Sequence, residues 1–274
     1  MPVWWRVIGC WCLLVCSGYA LDFHYSKYAG DPEKYLKPIR EYQRTQASQK
    51  IASGKILAGI LPHHFLASDM MVDFFERIKR SEKPKTIILI GPNHFKQGNS
   101  AVSISSLPWK TPFGIVQSAP LGIKEDPLAF SGEHSVGVII PFIKYYFPES
   151  KIIPILIRGD ASLEEMQKLK NKIEKTIDEK GDVLILLSAD FSHNSTAQTA
   201  EIRDKKSKAV ITAMDPEQVF SAEIDCWRGL WLLISLIKYK ATPHFIGHSN
   251  SERIAKLHGQ KDVTSYFTVL FVVK

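Results

Sequence analysis

Continuous apolar runs rich in isoleucine, leucine and valine recur along the chain. Runs of this kind are typical of strands that are buried on both faces of a parallel sheet. One run contains Pro154, which predicts an edge position or a bulge because proline has no N–H to donate to a neighbouring strand. We predict strands at 56–61, 86–90, 101–105, 152–157, 183–187 and 264–273.

Between several of these strands, apolar residues recur with the spacing of a helix. The alternation indicates an α/β fold, a single-domain sandwich with a central, largely parallel or mixed sheet flanked by helices. We expect the domain to cover residues 21–274. Residues 21–50 should form a lead-in, because Pro32 and Pro38 interrupt any long helix there. We predict helices near 65–80, 134–147, 161–178, 197–213 and 226–239.

Composition is ordinary for a globular protein, with 45% hydrophobic and 23% charged residues in a chain of 274. The net charge is +7, and the basic residues are spread along the chain. A local group at Lys205, Lys206 and Lys208 is expected to be a solvated helix face. No nucleic-acid motif accompanies it, so nucleic acid is not an expected partner.

The first twenty residues differ from the rest of the chain. Arg6 precedes an apolar stretch at 7–15, and small residues follow at Gly18 and Ala20. This order is typical of a secretory signal peptide over residues 1–20, which predicts export to the periplasm or the cell exterior. The stretch is shorter than the roughly 20 apolar residues of a membrane span. The alternatives are a buried N-terminal element and membrane anchoring through this segment.

Three of the apolar runs lead into a histidine, at His63, His94 and His193. Ligands of an open α/β sheet bind at the carboxyl ends of parallel strands, so we expect these imidazoles to converge. Convergent imidazoles indicate a metal site or proton transfer. The alternative is a set of polar loop residues, and His64 is a possible substitute for His63.

Two acidic residues accompany the histidines. Asp190 lies three residues before His193 and is expected to orient its ring and raise its basicity, with capping of the next helix as the alternative. Glu133 directly precedes His134. We expect His134 to begin a helix and to point into the same crevice, and a surface histidine is the alternative.

Cys226 is the one cysteine outside the first twenty residues, since Cys10, Cys12 and Cys16 fall within them. Removal of that segment leaves Cys226 without an internal disulfide partner. It begins a strongly apolar helix pattern, where the helix dipole lowers the pKa of a thiol and favours the thiolate, a nucleophile and soft metal ligand. The alternative is a small buried apolar residue.

Taken in order, these segments resemble the Memo family, also called AmmeMemoRadiSam system protein B. The similarity runs from about residue 55 to the C-terminus. The motifs that carry it are Pro62-His63, Gly91-Pro92-Asn93-His94, Thr111-Pro112-Phe113-Gly114, Glu133-His134-Ser135, Pro141-Phe142, Ser188-Ala189-Asp190-Phe191-Ser192-His193, Cys226 and Ser265-Tyr266.

The resemblance implies a fold related to the class III extradiol dioxygenases. It also implies a metal site of two histidines and one cysteine, which fall on His63, His94 and Cys226 here, and iron or copper as the bound ion. Further pocket residues of the family match His134, Asp190 and His193 in this chain. The family name implies association with radical SAM proteins, and the pocket implies a small-molecule or peptide ligand.

The chain departs from the family pattern beside the matched residues. His64 follows Pro62-His63 where the family commonly has alanine. Gly137 stands where the family has an acidic residue, and Ile139 where it has a polar one. The loss of the acidic group argues against acid/base chemistry of the usual kind, whereas the three metal-ligand positions are retained.

Three functions are consistent with these residues. The first is a metal-dependent redox enzyme in which His63, His94 and Cys226 hold iron or copper, while His134 and His193 move protons and Asp190 orients His193. The second is a binding module that holds a metal or a peptide without turnover. The third, a metal-free hydrolase using Asp190 and His193, lacks a nucleophile motif.

Overall fold

The computed structural model describes residues 22–45 and 54–274. The predicted signal peptide at 1–20 therefore lies outside the described residues. The strands are β1 (His24–Tyr25), β2 (Ile56–Leu61), β3 (Thr86–Pro92), β4 (Val102–Ile104), β5 (Trp109–Thr111), β6 (Gly114–Val116), β7 (Lys151–Ile157), β8 (Val183–Ser188), β9 (Ala241–Asn250) and β10 (Ser265–Val273). The helices are α1 (Pro32–Thr45), α2 (Ser68–Ser81), α3 (His134–Gly137), α4 (Ile139–Tyr146), α5 (Leu163–Lys180), α6 (Ala197–Ala213), α7 (Trp227–Ile237) and α8 (Ser251–Ala255).

Seven strands form one mixed sheet in the order β4-β7-β3-β8-β2-β10-β9. The four central strands β7, β3, β8 and β2 run parallel to one another. Strands β4, β10 and β9 pair antiparallel at the two sides. The prediction of an α/β sandwich with a largely parallel or mixed sheet is confirmed.

Helices cover both faces of this sheet because its central strands are apolar at nearly every position. In β3, Ile87 and Leu89 pack into one core with α1, α2 and α4, whereas Ile88 and Ile90 pack into the other with α5, α6 and α7. Alternate side chains of a strand point to opposite faces, so one run supplies two cores. None of the helices within the described ranges is both long and apolar enough to cross a membrane.

The N-terminal lead-in contains a helix that the sequence pattern did not predict. Helix α1 has 14 residues, with Pro32 at its first position and Pro38 inside it. Proline is tolerated in the first turn, where the N–H has no helical partner. Pro38 lies on the buried face with Tyr35 and Ile39, and this packing outweighs the hydrogen bond that Pro38 lacks.

Three further details qualify the predicted elements. The expected edge position or bulge at Pro154 is wrong, because β7 is the second strand from the edge and its register with β3 is continuous. The proline is tolerated because β4 pairs only with Ile155–Ile157, so its missing N–H falls outside that ladder. The edge strand β9 was not predicted, because its side chains are largely polar and half-exposed. A small second sheet, β1-β5-β6, was not predicted either.

Candidate metal centre

Three adjacent parallel strands deliver polar side chains to one edge of the sheet. Strand β2 leads into His63, β3 into His94 and β8 into Asp190. Because β3, β8 and β2 are neighbours that run in the same direction, their carboxyl ends lie side by side. The predicted convergence of His63 and His94 is therefore observed.

A third imidazole joins these two from the start of helix α3. The ring centre of His134 lies 4.4 Å from that of His94 and 5.3 Å from that of His63. The ring centres of His63 and His94 are 5.1 Å apart. One nitrogen of each ring lies within 4.8 Å of the others, so the three histidines form a group that could hold a metal ion.

Asp225, which no sequence motif singled out, completes a second group. Its Oδ2 atom lies 3.3 Å from Nε2 of His63 and 3.6 Å from Nε2 of His94. Oδ2 of Asp190 lies 3.7 Å from the same His63 nitrogen. His63, Asp190 and Asp225 therefore form another set of potential metal ligands within 4.8 Å. The only sequence signal was that Asp225 directly precedes Cys226.

Hydrogen bonds fix which nitrogen of each ring faces Asp225. Nδ1 of His94 lies 2.9 Å from Oε1 of the buried Glu133. Nδ1 of His63 lies 3.2 Å from the hydroxyl of Ser188, which itself donates to the carbonyl of Ser135. Each Nδ1 is thus placed to donate its N–H, which leaves an Nε2 lone pair for a metal or a proton.

The carboxylates of the site favour the protonated forms of His63 and His94. Burial lowers the pKa of His94, but hydrogen bonds to Asp225 and Glu133 outweigh burial and raise it to about 10. Burial also opposes protonation of His63, whose pKa is nevertheless raised by neighbouring carboxylates. Burial and the charges of His63 and His94 lower the pKa of His134 to about 4. A cation at the site would take the place of the protons on His63 and His94.

Cys226 lies at the margin of this site, with its side chain in the apolar core. Among the described residues, its sulfur belongs to neither potential ligand group. A Cβ atom on Gly229 would come within 2.7 Å of Sγ and 2.6 Å of a methyl group of Leu187, which shows how closely the thiol is enclosed. Its role as a metal ligand stays a prediction.

The expected lowering of the Cys226 pKa is wrong. Burial raises the pKa of this thiol, and the negative charge of Asp225 raises it further. Cys226 is the residue just before helix α7, so the helix dipole does favour the thiolate. The loss of solvation at 3% exposure outweighs the dipole.

Asp190 and His193 do not form the pair that their spacing predicted. Asp190 accepts a hydrogen bond from the backbone N–H of His63 at 3.1 Å, and none of its described contacts is with His193. Residues 189–194 form no helical turn that would bring the two side chains together. The alternative role is wrong as well, because Thr196 caps helix α6.

The histidines open into a cavity of about 950 Å³. His193 lines it together with His63, His94, His134 and Asp190, so five of the six predicted site residues share one space. His64 also lines it, and the Tyr266 hydroxyl lies 2.6 Å from Nδ1 of His64. Another wall comes from helix α1 and the turn before it.

Comparison with known proteins identifies the family of the chain. The sequence pattern of the Memo-like protein family matches residues 25–225, which is more than half of the chain. The chain therefore belongs to the Memo-like family, and the resemblance described above is confirmed. The matched range ends at Asp225, one residue before Cys226.

Several relatives are similar over much of the chain. A MEMO1 family protein of Caldivirga maquilingensis is 30% identical over 179 residues, and one of Pyrobaculum arsenaticum is 32% identical over 179 residues. Each of these matches covers 61% of this chain and 63% of the relative. The chain thus spans less than two thirds of the length of these curated relatives.

A solved structure is similar in fold. The uncharacterized protein JW3007 from Escherichia coli K12 superposes with a TM-score of 0.52, over 79% of this chain and 99% of that chain. The two sequences are 10% identical, so the likeness concerns the fold alone.

Proposed function

We propose that this protein is a metal-dependent redox enzyme that holds iron between His63, His94 and Asp225. The observation that carries the proposal is the position of Asp225 Oδ2, 3.3 Å and 3.6 Å from the two Nε2 atoms. Two histidines and one carboxylate are the donor set of non-haem iron oxygenases. Copper, the other ion that the family resemblance implies, would be held by the same imidazoles.

The donor set fits such an ion in charge as well as in type. Burial would raise the pKa of Asp225, but His63 and His94 lower it well below its usual range, so its carboxylate is ionised. Both Nδ1 atoms are engaged by Glu133 and Ser188, which leaves the Nε2 atoms as donors. When bound, an iron ion would supply redox chemistry and coordination positions open to oxygen or substrate.

The remaining residues of the cavity would bind the substrate and move protons. His134 is neutral at pH 7, since its pKa is about 4, and its Nδ1 lies 3.4 Å from Glu133. The neutral ring has a nitrogen lone pair that would accept a proton from a bound substrate. His193 lines the same cavity and is the second proton carrier of the proposal.

A non-catalytic binding module is the second candidate. Gly137 favours it, because the helix that begins with His134 carries no acidic side chain at this position. The site would then hold a metal or a peptide without turnover. Oxygen uptake by iron-loaded protein with catechols or reductants separates the two functions, and absence of uptake under all conditions favours the binding module.

Metal analysis of two variants tests the ligand set. Asp225→Asn keeps the size of the side chain and removes its charge, whereas Cys226→Ser changes only the sulfur. We expect Asp225→Asn to weaken iron binding by about 100-fold or more, and Cys226→Ser to keep stoichiometric iron. Loss of iron in Cys226→Ser with full occupancy in Asp225→Asn would restore Cys226 as the third ligand and refute the proposal.

The localisation of the protein and its partner proteins are also proposals. Export rests on the signal pattern of residues 1–20, and N-terminal sequencing of the mature protein tests it. An N-terminus at Leu21 supports export, and an intact N-terminus contradicts it. Association with radical SAM proteins rests on the family name, and co-purification from native cells tests it.

A further inference from the structure

Three lysines form one wall of the cavity that contains the histidines. Lys27 lies in the turn after β1, and Lys34 and Lys37 lie in helix α1. We call these three residues the lysine wall. Within residues 22–45 and 54–274, none of their ammonium groups has a carboxylate oxygen within 4.0 Å. The wall therefore presents positive charge that the described protein does not neutralise.

The backbone holds Lys27 beside the histidines. Its N–H donates to the carbonyl of Gly137 at 2.9 Å, and its carbonyl accepts the hydroxyl of the buried Tyr35 at 2.7 Å. Its charge is close enough to oppose protonation of His134. A Cβ atom on Gly137 would lie 3.5 Å from the backbone nitrogen of Lys27, so the backbone of this residue packs closely against the start of the helix.

Lys34 lies among aromatic rings. Its ammonium group is 5.1 Å from the ring centre of Tyr28 and 5.3 Å from that of Phe65. Both rings line the cavity as well. A cation held over apolar rings suits a ligand with an anionic end and an apolar body, because the rings hold the lysine in place and cover the body.

Two acidic residues also line the cavity, and their position limits their effect on this ligand. Glu41 and Asp69 border both this cavity and a neighbouring one, so they lie at its margin. Burial and the charge of Glu41 raise the pKa of Asp69. The two acids thus mark the margin of the cavity, with Glu41 one helical turn beyond Lys37 in α1.

We infer that the cavity takes an organic carboxylate, with its anionic end on the lysine wall and its apolar body against Tyr28 and Phe65. The inference rests on the proposed function in treating this anion as the substrate of the metal centre. His63, His94 and His134 line the same cavity as the lysine wall, so the bound molecule lies beside the metal centre.

Calorimetric titration of the full chain with benzoate and benzamide tests the inference, since the two probes differ mainly in charge. We expect benzoate to bind about tenfold more tightly than benzamide. A variant with Lys27→Gln, Lys34→Gln and Lys37→Gln should bind benzoate about tenfold more weakly and benzamide equally well. The matched control replaces the exposed Lys205, Lys206 and Lys208 of α6 by Gln, with the same change in net charge.

Each outcome decides the inference. Equal affinity for the two probes, no saturable benzoate binding, or equal weakening by the two triple variants would overturn it. If the lysine-wall triple variant fails to fold, Lys34→Gln alone should weaken benzoate binding about twofold to fivefold, and an unchanged affinity would count against the inference.

The titrations are run on EDTA-treated and on iron-loaded protein, so that this inference and the proposed function fail separately. Lysine-dependent benzoate binding by a protein that takes up no iron supports the anion site and refutes the redox function. Iron binding at full stoichiometry without lysine-dependent benzoate binding refutes the anion site and leaves the metal centre in place.

Discussion

Glu133 is the carboxylate whose replacement gives the most quantitative prediction. Its oxygens accept hydrogen bonds from Nδ1 and the backbone N–H of His94, at 2.9 Å and 2.8 Å, and from the backbone N–H of Ser135 at 2.9 Å. In Glu133→Gln, one acceptor oxygen becomes an NH₂ group that faces a donor. The variant therefore loses a hydrogen bond, the charge opposite His94, and the fixed orientation of that ring.

The pKa of Glu133 gives the size of the effect. Burial alone would raise this pKa, but hydrogen bonds from His94 and Ser135 lower it from 4.5 to about 2. At about 1.4 kcal/mol for each pKa unit, the ionised carboxylate stabilises the fold by about 3 kcal/mol. This contribution is present above pH 4.5 and is lost as the pH falls towards 2, because the folded-state pKa is the lower one.

Thermal unfolding and iron titration at pH 7 measure the two consequences. We expect Glu133→Gln to lower the Tm by about 6 °C and iron affinity by about 10- to 100-fold. Glu149→Gln, at an exposed glutamate, is the control and should change neither. A Glu133→Gln protein with the Tm and iron affinity of the wild type would refute the role given to this carboxylate.

Three further variants test the packing and charge of the fold. Burial lowers the pKa of His24 to about 4, so this side chain takes up a proton on unfolding between pH 6.5 and 4. In urea titrations over this pH range, His24→Gln should lose about 3 kcal/mol less stability than the wild type. The same dependence of unfolding free energy on pH in both proteins would contradict this. Gly229→Ala should lower the free energy of unfolding by about 1–3 kcal/mol, because the added Cβ would lie 2.6 Å from Leu187. An unchanged denaturation midpoint would contradict this and would show that the core rearranges to accept the methyl group. Asp204→Ala should lower the free energy of unfolding by about 3 kcal/mol, since the buried carboxylate is hydrogen-bonded to Ser192, Ser265 and His248. A loss of stability below about 1 kcal/mol would count against a stabilising role for these hydrogen bonds.

The sequence predicts the part of the site that follows from strand direction. His63, His94 and Asp190 each follow an apolar run, and parallel neighbours place such positions at one edge. His134 was also expected in the crevice, at the start of its helix. These positions depend on local patterns and on one general rule of sheet topology, so they need no knowledge of long-range contacts.

Asp225 and the lysine wall could not be predicted in this way, because their positions depend on contacts between distant parts of the chain. Asp225 precedes helix α7 and reaches the histidines because its backbone N–H donates to the carbonyl of Asp190, 35 positions away in sequence. Lys34 and Lys37 lie on a helix whose prolines argued against it, and packing of Tyr35 and Ile39 decides its formation. Strand β9 likewise depends on its pairing with β10 rather than on its own residues.

X-ray absorption spectroscopy of the iron-loaded protein is the most direct test of the ligand set. With His63, His94 and Asp225 around the ion, the spectrum should contain only nitrogen and oxygen neighbours, and it should be the same in Cys226→Ser. A sulfur neighbour in the wild type that disappears in Cys226→Ser would contradict the assignment of Asp225 as the third ligand.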